Sequence, residues 1–341
     1  MTAPERVESA IADRKTIVDD AIDEQLPVRP PERLYSASRY LLDAGGKRLR
    51  PTILLLTAEA ISETESPARD YRVFPTPHGE TIDVLAAAVS IEIIQSFTLI
   101  HDDIMDDDDL RRGVPAVHRE YDLETAILAG DTLYSKAFEF MLETDAPPDR
   151  SVEALRELAT TCTEICEGQA LDVDFENRTD VTTEEYLEMI EFKTAVLYAA
   201  AAAIPAILLG SDRETIDALH GYGLDIGRAF QIQDDLLDLT VPSDELGKQR
   251  GSDLIEGKRT VITLHARDQG IDPDRLVPED PTDAEIEAAV DRLRAAGSIE
   301  FARETAEELV ESGQRRLEVL PENEPRALLE DIADFLVERR Y

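Results

Sequence analysis

The sequence predicts an all-α fold. Apolar residues recur at helical spacing along most of the chain, capping signals bracket those runs, and nowhere is there sustained strand alternation or an internal repeat. Two aspartate clusters, each at the end of an apolar helical run, mark where chemistry is expected.

Composition narrows the function classes. With 341 residues, 43% of them hydrophobic, the chain can build a large core and is too apolar to be disordered. Acidic residues outnumber basic ones 74 to 35, giving a net charge of −39. Nucleic acid and anionic membrane surfaces would repel such a chain, so neither is expected as a partner. An acidic excess of this size suits a salty cytoplasm, where screening removes self-repulsion, and a halophilic host is expected. Lysine is confined to Lys15, Lys47, Lys136, Lys193, Lys248 and Lys258, and arginine supplies the remaining positive charge. A chain that has otherwise shed lysine keeps it where a flexible point charge meets phosphate. Cys162 and Cys166, one helical turn apart, are expected to be two buried thiols in a reduced, cytoplasmic setting. No signal-peptide pattern is visible. The longest apolar run, Ala195–Leu209, is alanine-rich, interrupted by Pro205, and shorter than the roughly 18–20 residues of a membrane span. It is expected to be a core helix, without stable membrane insertion.

Residues 4–26 read as a charged amphipathic helix, and Pro30-Pro31 and Gly45-Gly46 bracket a second over 31–43. In Gly45-Gly46-Lys47-Arg48-Leu49-Arg50-Pro51 the paired glycines admit close backbone approach to an anion on which Lys47 and Arg50 can converge. A helix C-cap with basic residues is the plainer alternative. Pro51 starts a helix to about Ile61, and residues 62–80, with Pro67, Pro75, Pro77 and Gly79, read as a long surface loop carrying a solvated His78.

A helix over Thr81–Met105 then leads into Asp102, Asp103 and Asp106, a turn, and Arg111 and Arg112. Asp102 and Asp106, four apart, point the same way. They repel unless a cation sits between them. Magnesium takes one or two carboxylates and fills its other positions with water and phosphate oxygens. Arginines directly after such a pair supply planar, bidentate phosphate donors. The stretch asks for a diphosphate arriving with Mg²⁺. One such cluster in so acidic a chain could be a solvated helix end, but Phe230–Asp238 repeats it as Asp234, Asp235 and Asp238.

Helices 120–144 and 149–176 lie between the clusters, and Thr182-x-x-Glu185 is a capping box opening the helix that reaches Phe192-Lys193-Thr194-Ala195. Helix 212–239 carries the second cluster, preceded by Gln231, and Gly247–Thr260 is a glycine-punctuated loop with Lys248 and Lys258. A Pro/Asp-rich linker precedes helices 282–296, 298–317 and 324–339.

Over residues 31–260 the chain resembles the trans-isoprenyl diphosphate synthases, most of all the short-chain geranylgeranyl type of a halophilic archaeon. The resemblance rests on both aspartate motifs, the trailing Arg111-Arg112-Gly113, the Gly45–Pro51 segment, Gly130-Asp131, Gly168-Gln169-Ala-Leu-Asp172, Lys193-Thr194 and the Gly247–Thr260 loop. It implies a single domain over 1–341: a bundle of ten or more helices around a deep cleft, with the clusters facing at its mouth and helices 282–339 completing it. It implies Mg²⁺ held by Asp102, Asp106 and Asp234, with Asp103 and Asp238 in support. Lys193, Lys248, Lys258 and Arg111 would neutralise the allylic diphosphate as it leaves, with Thr194 and Gln231 beside it and Gln169 and Asp172 making polar contacts nearby. Lys47, Arg50, Gln95 and Arg112 would hold isopentenyl diphosphate; Gln95 stands where many bacterial relatives carry an imidazole. Phe97, five residues before Asp102, stands where archaeal-type relatives close the tunnel under the growing chain. With the small Thr98 beside it, it implies a C20 product, farnesyl and C25 products being the alternatives and an ordinary core Phe the plain reading. A homodimer is expected, and His101 is left without a role.

Three other classes fit less well. A di-iron carboxylate bundle needs Glu-x-x-His pairs, and none of the five histidines has Glu three residues before it. A terpene cyclase would leave Lys47 and Arg50 with no second substrate. A non-catalytic subunit of a heteromeric synthase typically loses one aspartate cluster, and here both are intact.

Overall fold

The structure, a computed structural model, describes residues 3–63, 70–175, 178–241, 250–278 and 281–338. Fifteen α-helical segments appear among the described residues: α1 (Ala3–Gln25), α2 (Glu32–Asp43), α3 (Leu49–Ile61), α4 (Val84–Met105), α5 (Val117–Glu120), α6 (Leu123–Leu142), α7 (Pro148–Phe175), α8 (Thr183–Ile190), α9 (Val196–Leu209), α10 (Arg213–Thr240), α11 (Ser252–Ile255), α12 (Val261–Asp268), α13 (Asp283–Ala295), α14 (Ser298–Arg316) and α15 (Glu324–Glu338). The only strands among them are two short antiparallel pairs, β1 (Phe74–Pro75) with β2 (Thr81–Ile82) and β3 (Leu110–Arg111) with β4 (Val114–Pro115). The fold is all-α, as expected.

The chain divides into two compact units. The first comprises Met1–Cys162, Ala200–His220 and Glu318–Asp331. At its centre is α4, which packs most extensively on α6 and also on α3. Every residue from Val84 to Ile94 is buried, as befits a helix that is apolar all round. Its first turn is capped by Asp83, whose side chain accepts from the Ala86 N–H at 2.8 Å. A buried ion pair ties α1 to α3: Arg14 Nη2 donates to Glu59 Oε2 at 2.6 Å, and the Tyr71 hydroxyl donates to the same carboxylate. Residues 64–69 of the expected loop lie outside the described residues, and residues 70–80 are not simply a surface loop. Tyr71 and Phe74 are 2% and 0% exposed, and β1–β2 pins the returning chain. Pro77 and Gly79 do mark the turn between β1 and β2, but the two aromatics before it have core to fill.

The second unit comprises Thr163–Ala199, Gly221–Leu317 and Ile332–Tyr341. The capping box forms as expected, with the Glu185 N–H donating to Thr182 Oγ1 at 3.2 Å and the Thr182 N–H to Glu185 Oε2 at 2.8 Å. A second box, Thr282 with Glu285, opens α13. The alanine run is buried core, yet it belongs to a longer helical stretch, Thr183–Leu209, that Pro205 does not end. That stretch and Val84–Met105 are long and apolar enough to cross a membrane by length and composition. Their most apolar windows are 89% and 72% buried inside the protein. Neither cysteine forms a disulfide, but only Cys162 is buried; Cys166, one turn on, faces outward.

Candidate active site

The first aspartate cluster closes α4, and its three carboxylates separate by environment. Asp106 is the C-cap, its N–H donating to the Asp102 carbonyl at 2.8 Å. Asp102 is half-buried and Asp106 exposed, one turn apart. Asp103 points the other way, is fully buried, and accepts from Arg111 Nε at 2.6 Å. Burial pushes the Asp103 carboxyl up, against the pull of Arg111. Asp103 is thus a counterion for Arg111, which also donates to Asp108 Oδ2 at 2.8 Å.

Arg111 and Arg112 part company because they sit on a hairpin. The β3–β4 pair is joined by Arg112 and Gly113, both left-handed at φ 53° and 78°, as a two-residue type I′ connection requires. A non-glycine residue held there is strained, and such strain concentrates at functional positions. Arg112 turns back onto the glycine-rich segment. Its Nη1 donates to the Leu41 carbonyl at 3.0 Å and to the Gly45 carbonyl, and its Nη2 lies 3.7 Å from Glu92 Oε1. A Cβ at Gly46 would come within 3.0 Å of that guanidinium, so the close approach needs glycine. Lys47 is exposed and Arg50 half-buried on either side of the buried Arg48. Gln95 and Thr98 are half-buried on α4, where the Thr98 hydroxyl donates to the Gln95 carbonyl at 2.9 Å.

Phe97 packs edge-on against His101 and against Tyr134 of α6, with ring centroids 4.9 and 5.2 Å apart. His101 gains a structural account: its Nε2 lies 3.3 Å from the Ile127 carbonyl, and a Cβ at Gly130 would overlap that nitrogen at 2.2 Å. Gly130 makes room for His101.

In the second unit, Lys193 and Thr194 lie in a π-helical segment, Glu191–Ala195, between α8 and α9. Such bulges often mark functional sites because they re-aim side chains. Lys193 pairs with Asp172, while the amide atoms of Gln169 are buried with no partner among the described residues. A polar chain follows: Thr194 Oγ1 donates to Gln231 Oε1 at 3.0 Å, Gln231 Nε2 to Asp235 Oδ1 at 3.1 Å, and the buried Tyr186 hydroxyl to Asp235 Oδ2. Burial drives both Asp235 and Tyr186 well above their ordinary values. Asp234 is half-buried. Asp238 faces inward and holds the following loop, accepting from Ser252 Oγ at 2.6 Å and from the Asp253 N–H at 3.2 Å. Lys258 is 43% exposed, 3.1 Å from Glu256, and Lys248 lies outside the described residues.

Among the described residues, no three His, Cys, Asp or Glu side chains form a ready-made metal cage. Magnesium needs none, since it keeps waters and takes phosphate oxygens around one or two carboxylates. The Asp102 and Asp106 pair suits it; Asp103, committed to Arg111, does not.

Sequence reasoning passed over Arg48, Glu92, His118 and Tyr186. Glu92 carried a signal, being the only ionisable residue in the run Val84–Ile100. His118, whose ring nitrogens are buried without partners among the described residues, lies among the groups around Asp103.

Comparison with known proteins identifies the family. The polyprenyl synthetase family model matches residues 31–292. A geranylfarnesyl diphosphate synthase of Natronomonas pharaonis is 80% identical over 341 residues, covering 100% of both chains. A solved geranylgeranyl pyrophosphate synthetase from Geoglobus acetivorans superposes with a TM-score of 0.86 at 44% identity, covering 96% of this chain and 99% of that one. Another, from Corynebacterium glutamicum and complexed with isoprenyl diphosphate and magnesium, does so at 0.79 and 29% identity, covering 98% and 99%. The chain belongs to the polyprenyl synthetase family, as a prenyltransferase of the short-chain trans-isoprenyl diphosphate synthase type.

Proposed function

We propose that this enzyme condenses isopentenyl diphosphate head-to-tail with allylic diphosphates and carries elongation to C25. The observation that carries the chain length is the 80% identity, end to end, with a protein named geranylfarnesyl diphosphate synthase. Phe97 favours a second reading, release at C20, if its ring forms the floor beneath the growing chain. Sizing the products made from each allylic primer separates the two.

In the proposed reaction Asp102, Asp106 and Asp234 hold Mg²⁺, with Asp103 and Asp238 orienting their neighbours. The bound metal supplies charge neutralisation for the departing diphosphate. Arg111, Lys193, Lys248 and Lys258 add fixed positive charge where negative charge develops as the allylic C–O bond breaks. Thr194 and Gln231 line the same end. Lys47, Arg50, Gln95 and Arg112 hold isopentenyl diphosphate so that its double bond meets the allylic cation. Proton loss, with the released diphosphate as acceptor, completes the cycle. No side chain has to serve as nucleophile.

The same reading makes the protein one polyprenyl synthase domain, acting in the cytoplasm of a halophile as a homodimer. Support for self-association comes from α6, where Leu123, Ile127 and Tyr134, which share one helix face, are 49%, 40% and 37% exposed. Contiguous exposed apolar surface of that kind marks an interaction face.

A further inference from the structure

Glu92 is 3% exposed, and two guanidinium groups meet it. Arg48 Nη1 donates to Glu92 Oε1 at 2.5 Å, and Arg112 Nη2 lies 3.7 Å from the same oxygen. Arg48 itself is 3% exposed and held in the left-handed region at φ 53°. Its Nε donates to Asp19 Oδ1 at 2.7 Å and its Nη2 to the Leu42 carbonyl at 2.8 Å. A residue in that conformation, tied at three points, fixes the backbone between Lys47 and Arg50. Arg112, for its part, has only carbonyl acceptors besides Glu92 among the described residues, and burial with Arg48 and Arg111 nearby weakens its hold on its proton. A buried cation without a carboxylate would be costly.

We propose that Glu92 is the positioning residue of the isopentenyl diphosphate subsite. It sets Arg112 directly and, through Arg48, the Lys47–Arg50 segment. One buried carboxylate on α4 therefore aligns both sets of phosphate donors, three residues before Gln95 on the same helix. Glu92 does not touch the substrate; it orients the groups that do. The inference rests on the reading of Lys47, Arg50, Gln95 and Arg112 as ligands of isopentenyl diphosphate.

Steady-state kinetics of Glu92→Gln, with each substrate varied in turn, test it. Removing the charge at constant shape should raise KM for isopentenyl diphosphate about tenfold, the cost of one mis-set charged hydrogen bond. KM for the allylic substrate and kcat should stay within about threefold, the signature of lost binding rather than lost transition-state stabilisation. Combined with Arg112→Lys, the effects on that KM should be less than multiplicative, because the two residues act through one contact. Glu92→Asp keeps the charge but withdraws it, and should give a smaller, equally selective rise. An unchanged KM for isopentenyl diphosphate in either folded variant, equal rises for both substrates, or multiplicative effects would overturn the proposal. If Glu92→Gln does not fold, Glu92→Asp alone decides by the same criteria. Lys47→Gln and Arg50→Gln separate the underlying reading: a KM for isopentenyl diphosphate unmoved by both would sink the subsite assignment itself, and the role of Glu92 with it.

Discussion

At the scale of single residues, the first cluster shows three neighbouring carboxylates doing different work. Asp102 and Asp106 share a face, whereas Asp103 is spent on Arg111. Substituting Asp102→Ala should therefore cut kcat by at least about a hundredfold with little loss of stability, since it removes charge organisation at the leaving group. Asp103→Ala should instead lower stability by about 1–3 kcal/mol by stripping a buried counterion, which urea unfolding in molar KCl would report. Alanine variants with the opposite pattern would reverse the assignment. Asp19 offers a pH test. Burial pushes its carboxyl up, but hydrogen bonds from Lys15 and Arg48 outweigh this and hold it below the usual carboxylate range. Its folded value is depressed, so its contribution is complete above the unfolded value of about 3.9 and lost as pH falls through the folded one. The Tm deficit of Asp19→Asn should accordingly be full near neutrality and shrink toward zero as acid is added. A deficit independent of pH would show that the Asp19–Arg48 pair contributes no charge term.

Individual elements show what the sequence made legible. Helical spacing and boundary residues locate α1, α2, α10 and the three C-terminal helices to within a residue or two, because both signals are local in sequence. The β3–β4 hairpin was hidden, since a two-residue strand has no period to read and an arginine at left-handed φ is not signalled by its type. Burial of Tyr71 and Phe74 was hidden for a different reason: tertiary packing, not local pattern, drew them in. The π-helical segment has no sequence period to read, although Gly168, which packs against it, belongs to the motifs that carry the resemblance. A Cβ there would lie 2.2 Å from the Lys193 backbone nitrogen, which explains the glycine. Gly168→Ala should therefore displace the segment carrying Lys193 and Thr194, costing about 1–3 kcal/mol of stability through overpacking. It should raise KM for the allylic substrate more than that for isopentenyl diphosphate. Equal stability and kinetics in the variant would mean the segment tolerates the displacement.

For the whole molecule, composition and structure bear on different questions. The net charge of −39 speaks to the solvent the protein tolerates, not to its fold. Its chemistry was legible because two aspartate motifs and their basic companions are contiguous in sequence. Glu92 stands out in the sequence as the one ionisable residue of an apolar run, but its role in ordering those companions emerges only from the convergence of Arg48 and Arg112 on it. Self-association through α6 predicts that Ile127→Glu with Leu123→Glu halves the mass found by light scattering in molar KCl; an unchanged mass would exclude that face. The most direct test of the account is to incubate the protein in molar KCl with Mg²⁺, isopentenyl diphosphate and each allylic primer, then size the products beside an Asp102→Ala control. The account predicts elongated products, ending at C25 or at C20, that vanish in the control. No elongation by the folded wild-type protein, or undiminished elongation by the control, would contradict it.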